Sequence, residues 1–472
     1  MDLNKLPLQI AVVGHTNTGK TSLLRTLGRD RTFGEVDDAP GTTRQVCSLP
    51  VTLAGSEVLV WFDTPGLEDS VSLRDWVDGI DNSSTRLDGP DRIARFLSDA
   101  QAGLEFEQEQ RVLAQVMRSD AMLYVVDARD QVLAKHRDEL YLLQCCARPV
   151  LPVLNFVASA QADPQPWIQV FARHGIHIHL SFDSISPPIN GEQMMYETLG
   201  QLLGEYKPLL KDLAQQSLLK RRERVTAAID LLSGLCINVA AIHSSVKNQA
   251  AAIEQAIDAQ QGQVRELEQA FVAELLSLYQ FSDHDYLAQT VGWDKGQWQA
   301  DLFSQRTLKE LGVDIGKGAA VGAVAGAAVD VLSAGLSLGT GTLIGAAAGS
   351  AWQGIDRWGK NIKASVLGER ELVVSDAVLL ALATRNVRLV AALEQRGHAS
   401  HVPLVLAPKA LTPEFEHLAL LACCHRVRAD TVKHQVMQFF GASASTESAQ
   451  ADVHQILMQA NALEPLTSDG LH

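Results

Sequence analysis

The chain has 472 residues, an apolar content of 46% and a formal net charge of −15. That length exceeds what one core can serve and predicts about two to four domains, while the acidic balance argues against a dedicated nucleic-acid binder and leaves only a local basic patch open. The six cysteines include two adjacent pairs, Cys145-Cys146 and Cys423-Cys424, in helix-like apolar runs without metal or disulfide spacing; reduced, buried thiols, a cytoplasmic home and no secretory leader are expected.

In chain order, an apolar run, Ile10 to Val13, leads into Gly14-His15-Thr16-Asn17-Thr18-Gly19-Lys20-Thr21, and a helix-like run, Ser22 to Leu27, follows. Strand, G-x-x-x-x-G-K-T loop and helix in this order make a phosphate-binding loop. Its backbone N–H groups converge on phosphate oxygens, aided by the positive end of the next helix. Gly14, His15, Thr16, Asn17, Thr18, Gly19, Lys20, Thr21 and Ser22 are therefore candidate nucleotide-binding residues. Lys20 would reach the β- and γ-phosphates and the Thr21 hydroxyl would hold Mg²⁺; a chance glycine loop is the alternative.

Pro40-Gly41-Thr42-Thr43-Arg44 comes next, then two strand-like runs, Val46 to Leu53 and Val58 to Phe62, the second ending in Asp63-Thr64-Pro65-Gly66. In phosphate-loop hydrolases an Asp at a strand end holds Mg²⁺, usually through its water, and the glycine N–H meets the γ-phosphate. Asp63 and Gly66 take those roles here, and Thr43 is the better of two threonines to close on Mg²⁺. Lys20, Thr43 and Gly66 are the candidate catalytic residues.

On these three motifs, residues 8–185 resemble the Era-like and TrmE-like branch of the translation-factor-class GTPases. The resemblance implies an α/β domain with a mostly parallel sheet and one antiparallel edge strand, which hydrolyses GTP to GDP and phosphate with Mg²⁺ and whose loops order on GTP. It also implies that Asn17 binds K⁺ beside the phosphates; a plain turn-capping role is equally open. Leu67 stands where other GTPases place a glutamine, so a carboxylate such as Glu68 or Asp69 is a candidate for positioning water.

Residues 67–120 exceed what a minimal domain needs before the next strand and hold helix-like stretches around Leu73 to Ile80, Ile93 to Leu97 and Leu104 to Met117. An insertion here suits an effector contact, although loops tolerate added length cheaply. Strands Met122 to Val126 and Val150 to Leu154 follow. Asn155-Phe156-Val157-Ala158 then departs from the family's N-K-x-D: the asparagine is kept, while the lysine and the guanine-pairing aspartate are replaced. Losing that partner weakens the claim on guanine. Ser181-Phe182-Asp183-Ser184 stands where the last base-contacting loop is expected, with Ser181 as the candidate contact and Asp183 as a substitute carboxylate. His174, His177 and His179 alternate along the expected strand Ile176 to Leu180 and read as an exposed face.

Beyond Tyr206, helical periodicity takes over. A long amphipathic run extends from Leu218 through Val239, with a basic cluster at Lys220 to Arg224. Ile253, Ile257, Val264, Leu267, Phe271, Leu275 and Leu278 then form one stripe, which suits a bundle core or a coiled-coil homodimer. In segment 312–351, glycines at 318, 322 and 326 and at 341, 345 and 349 flank a Ser/Gly-rich stretch, Ser333 to Thr342. Such spacing lets helices approach closely and predicts a glycine-zipper helical hairpin. Trp293, Trp298, Trp352 and Trp358 flank it and Arg357, Lys360 and Lys363 follow, as at a membrane interface; a hairpin packed within a soluble domain is the other reading.

Further helical stretches are expected over Leu372 to Leu393 and Glu414 to Phe440, with a loop from Gly441 to Gln450. The expected organisation is a GTPase domain over 1–204, a bundle or coiled coil over 205–305, the hairpin over 306–365 and a helical region over 366–472, so that an all-α half follows the α/β domain. Some bacterial GTPases of this branch carry a C-terminal helical domain of unknown function with a like glycine-rich stretch. The functional expectation is a cytoplasmic GTP/GDP switch, working at the inner face of the membrane with a lipid or membrane-protein partner bound through 312–363 and with no nucleic acid. A membrane-active tethering protein with low turnover or relaxed base specificity is the alternative.

Overall fold

The computed structural model describes residues 6–34, 46–80, 87–281, 293–294, 297–298, 303, 336–338, 369–400, 416–436 and 443–460. The chain divides into two compact units, one of residues 1–221 with 395–401 and the other of residues 222–394 with 402–472.

The first unit is built on a six-stranded sheet. Its strands are β1 (Leu8–Val13), β2 (Cys47–Leu53), β3 (Ser56–Asp63), β4 (Ala121–Asp127), β5 (Val150–Asn155) and β6 (Leu180–Ser181), in the order β2-β3-β1-β4-β5-β6. Only the β2–β3 pair is antiparallel. β4 and β5 are buried at every residue, as strands covered on both faces must be, whereas β2 alternates between exposed and half-buried at the edge. Neighbouring residues of one strand face opposite cores. Val13, Tyr124 and Val126 point to one, and Val12, Leu123 and Val125 to the other.

Helices α1 (Lys20–Gly28) and α8 (Gly191–Leu202) pack on the second of these faces; α5 (Glu107–Arg118), α6 (Ala134–Cys145) and α7 (Gln165–Arg173) pack on the first. The expected insertion forms α2 (Ser70–Asp78), α3 (Gly89–Ser98) and α4 (Ala100–Glu105), which join that first face through Leu73, Val77, Ile93, Phe96 and Ala102. Each helix of the insertion begins at an aspartate, Asp69, Asp88 or Asp99, whose carboxylate accepts first-turn backbone N–H groups. The strand expected over Ile176 to Leu180 shortens to β6, which pairs with β5 only at Leu180 and Ser181. His174 sits instead in the turn after α7 and bonds Gln144.

Residues 395–400 belong to this unit although they lie far along the chain. The Gly397 N–H donates to the Ile185 carbonyl at 2.9 Å, and a Cβ there would stand 2.0 Å from the Ser184 oxygen. Only glycine fits so close an approach.

The second unit is largely helical. α9 (Lys207–Ala241) begins in the first unit and ends in the second; α10 (Ala250–Leu278), α11 (Asp376–Glu394), α12 (His417–Val436) and α13 (Ser443–Met458) follow. Among the described residues, α9 with the turn before it is the one helix long and apolar enough to cross a membrane, a test that core helices also pass, and 56% of its apolar window is buried.

The sequence reading expected no strands here, yet β7 (His243–Lys247), β10 (Leu336–Leu338) and β11 (Glu369–Val374) form an antiparallel sheet in the order β10-β11-β7, and β8 (Trp293–Asp294) pairs with β9 (Gln297–Trp298). The helix expected from Leu372 therefore starts later. Ser375 caps it, accepting the Leu379 N–H on its carbonyl and the Val378 N–H on its hydroxyl, which leaves Glu369–Val374 free to pair. Likewise Ser443–Gln450, read as loop, is the first half of α13. Apart from β10, the segment 312–363, where the glycine-zipper hairpin is expected, lies outside the described residues.

On α10, the buried positions Ile253, Val264, Phe271 and Leu275 follow the expected stripe, interrupted by two polar residues. Gln260 donates to the Leu372 carbonyl and the Ser244 hydroxyl, and Glu268 pairs with Arg385 and Asn386. Glu268 is thereby satisfied on both oxygens inside the core, and the Gln260 amide nitrogen spends its hydrogens on two acceptors.

Candidate nucleotide-binding site

The phosphate loop runs from the end of β1 to the start of α1, and parallel pairing of β1 with β3 and β4 holds the end at which it leaves the sheet. Asn17 takes a left-handed conformation, φ 67°, which asparagine tolerates better than most residues, and its side chain is exposed. Lys20 is buried, and its Nζ donates to the Gly14 and His15 carbonyls at 3.1 and 2.8 Å. Burial pushes its ammonium down to about 8, against the pull of Asp63 and Glu139. The Thr21 hydroxyl donates to Asp63 Oδ2 at 2.6 Å. Lys20, Thr21 and Asp63 therefore converge at one end of the loop. The hydroxyl and carboxylate form the hard oxygen donor set that suits Mg²⁺.

The His15 side chain turns away from this centre towards α6. Lys135 Nζ lies 2.7 Å from its Nε2, and Glu139 Oε1 lies 3.0 Å from its Nδ1. Because ammonium is donor-only, Nε2 accepts and Nδ1–H donates to the carboxylate. Tyr124 donates to the other Glu139 oxygen at 2.7 Å, so this fully buried acid is satisfied on both sides. The His15 side chain is thus committed to α6, which leaves its backbone as the candidate nucleotide contact.

The Asp63-Thr64-Pro65-Gly66 turn folds against the loop. The Leu67 N–H donates to the Gly14 carbonyl at 3.1 Å, and a Cβ on Gly66 would stand 2.2 Å from Thr16 Oγ1. The glycine expected to sense the γ-phosphate thus lies beside the phosphate loop for want of a side chain. On its far side, the N–H groups of Glu68 and Asp69 both donate to Glu109 of α5, and Ser70 donates to the Lys135 carbonyl. Arg74 of α2 pairs with Asp138 of α6 at 2.5 Å. The turn is therefore bonded to α5, and the insertion to the helix that holds His15.

At the base-binding end, Asn155 is fully buried and ties three loops together. Its Nδ2 donates to the Thr18 carbonyl, and its Oδ1 accepts from Phe156 and Ser184, each at 2.9 Å. Phe156, in place of the family's lysine, adopts φ 58° and carries the Arg129 guanidinium 4.1 Å above its ring. Arg129 is held in turn by Asp127, with Nε and NH2 on the two carboxylate oxygens at 2.9 and 2.6 Å. Asp183 accepts the Ala158 N–H on Oδ2 and those of Ile185 and Ser186 on Oδ1. It places a carboxylate beside the position where the family's aspartate is missing. Ser181 is the exposed end of β6.

Of the residues expected from sequence, Gly14 to Ser22, Asp63, Gly66 and Asn155 come together. Thr43, with all of Pro40–Arg44, lies outside the described residues. Sequence reasoning missed Glu109, Arg129, Lys135 and Glu139. Arg129 alone had a local signal, a D-x-R run ending β4. Among the described residues no group of three or more His, Cys, Asp or Glu could hold a metal. All six cysteines are free thiols, and burial pushes Cys146 up to about 12.

Residues 9–156 match the family described as 50S ribosome-binding GTPase, and residues 169–457, more than half of the chain, match the domain of unknown function DUF3482. Similar curated proteins include the tRNA modification GTPase MnmE of Cyanothece sp., 30% identical over 165 residues, covering 35% of this chain and 33% of that protein. GTPase Der of Chlamydia trachomatis is 31% identical over 113 residues, covering 24% and 22%. The chain thus spans about a third or less of the length of these relatives. A solved structure of Era in complex with MgGDPNP and a segment of 16S ribosomal RNA is 17% identical, covers 40% of this chain and 55% of that one, and has a TM-score of 0.29, too low to carry an argument. On the extent of the second match the chain belongs to the DUF3482 family, and in this chain a P-loop GTPase domain similar to those of MnmE and Der, with its phosphate loop and its Asp63–Gly66 turn, precedes that C-terminal region.

Proposed function

We propose that this GTPase is a molecular switch whose nucleotide state controls the helical C-terminal region, and that the control is exercised at the cytoplasmic face of a membrane through residues 312–363. The observation that carries the switch reading is the double attachment of the Asp63–Asp69 loop, to the phosphate loop through Leu67 and to α5 through Glu109. A loop that meets the γ-phosphate moves whatever is bonded to its far side. Lys20 neutralises β/γ-phosphate charge and Gly66 offers its N–H to the γ-phosphate; Thr21 and Thr43 would hold Mg²⁺ and Asp63 would hold it through water, the ion when bound supplying charge neutralisation at the phosphates. Asn17 contributes an amide oxygen to K⁺.

The membrane part is supported by the four-residue glycine spacing, the flanking tryptophans and the cations that follow. Flotation of the full chain with liposomes, with GDP and with a non-hydrolysable GTP analogue, tests both parts together. Nucleotide-dependent flotation is expected; absence of flotation with anionic and neutral lipids alike would refute membrane docking. Turnover is expected to be faster in K⁺ than in Na⁺, and equal rates would remove the ion from Asn17.

Phe156 and Ala158 favour one second reading, a membrane tether with slow turnover and relaxed base choice. Lys20→Ala separates the two: membrane association that survives this change in both nucleotide states supports the tether.

A further inference from the structure

Glu109 is the third residue of α5, a position from which a glutamate ordinarily reaches back to cap its own helix. Here it is buried, and one oxygen, Oε1, accepts the N–H groups of both Glu68 and Asp69, at 2.9 and 3.0 Å. Hydrogen bonds to an ionised carboxylate are about twice as strong as neutral ones. The clasped residues follow directly on Gly66, which lies against Thr16, and Leu67, whose N–H is bonded to Gly14 of the phosphate loop. The Glu68 side chain completes the link, since its own carboxylate accepts from the Thr16 hydroxyl at 3.4 Å. The loop is therefore held at one end by the phosphate loop and at the other by a single carboxylate on α5.

We propose that Glu109 is a positioning residue for GTP hydrolysis: it fixes the register of the Gly66–Asp69 backbone so that the Gly66 N–H faces the γ-phosphate. The carboxylate does not touch the nucleotide and acts through the two N–H groups it clasps. GDP, which has no γ-phosphate, is indifferent to it. The inference rests on the switch reading above, in which Gly66 meets the γ-phosphate.

The test uses the full chain with Glu109→Ala and Glu109→Gln. Because both bonds end on Oε1, the glutamine oxygen can still accept them, whereas alanine cannot. Glu109→Ala is expected to lower kcat for GTP about 10- to 100-fold, the worth of two such bonds, and to weaken a non-hydrolysable GTP analogue while GDP affinity stays within about twofold. Glu109→Gln is expected to recover most of the loss. Wild-type kcat in the alanine variant would overturn the proposal, as would GTP analogue, GDP and thermal midpoint all falling together, the mark of a merely structural acid. A glutamine variant as slow as the alanine variant would overturn it too. If alanine prevents folding, Glu109→Asp, one methylene too short to reach, must show the same selective loss against a near-normal glutamine variant. A wild-type protein that does not turn over GTP, or does not bind its analogue, would instead defeat the switch reading itself.

Discussion

Asn155 offers the sharpest test of how the nucleotide site is held together. Asn155→Ala deletes one donor and one acceptor and strands three buried partners: the Thr18 carbonyl and the N–H groups of Phe156 and Ser184, all now bonded at 2.9 Å. Each stranded group costs about 1–3 kcal/mol when water cannot reach it. The Asn155 side chain is fully buried, but the cavity left by its amide is large enough to admit water at one of the three. A net loss of about 3 kcal/mol follows, and it falls on the bonds that join the phosphate loop to both base-binding loops. Nucleotide binding needs all three loops in register, so most of this loss should appear as weaker affinity, about 100-fold in Kd at 1.4 kcal/mol per factor of ten. Fluorescent GDP titration of the purified full chain measures it directly, and dissociation rates should carry most of the change. Asn155→Asp should be nearly as damaging, because it keeps the acceptor but sets a carboxylate against the Thr18 carbonyl. If either variant bound GDP as the wild type does, the three-loop tie would not be what holds the site.

Three further outcomes are expected. Gly397→Val should drive a side chain into the Ser184 carbonyl, 2.0 Å from where its Cβ must stand, costing about 1–3 kcal/mol; a lower thermal midpoint together with weaker GDP binding is expected, and an unchanged melt would show that 395–400 is not seated there. Ala158→Asp, which restores the family's aspartate, should fail by itself to sharpen guanine preference. The new carboxylate meets Asp183, already bonded to the Ala158 N–H, and like charges near a protein surface cost up to about 4 kcal/mol at close range. Adding Asp183→Asn should relieve this, and GTP-against-ATP competition measures both variants. In the C-terminal region, Glu268→Ala removes the carboxylate from the buried Arg385 guanidinium and should lower stability to urea by about 3–5 kcal/mol, whereas replacing both residues with Met should cost far less.

The phosphate chemistry was legible because it is local. Eight consecutive residues between a strand and a helix aim their own backbone N–H groups at a ligand, and the residue types needed for that conformation spell themselves out. The six-stranded sheet and the helices of the insertion were legible for the same reason, since burial on one or both faces leaves a period in the sequence. The strands of the second unit were not. β7 and β11 are separated by more than a hundred positions and are half polar, so only their pairing shows what they are.

From its sequence alone, this protein's reaction class, its departure from the usual guanine motif and its largely helical second half were determined. Tertiary structure decided which distant residues serve the site: Glu139 against His15 across 124 positions, Glu109 against Glu68 across 41, Asp183 against Ala158 across 25, and Gly397 against Ile185. In the last three the chain offers a backbone group on at least one side, and backbone N–H and C=O are the same at every residue. Such a bond leaves no letter in the sequence, and only the folded chain shows which carboxylate found it.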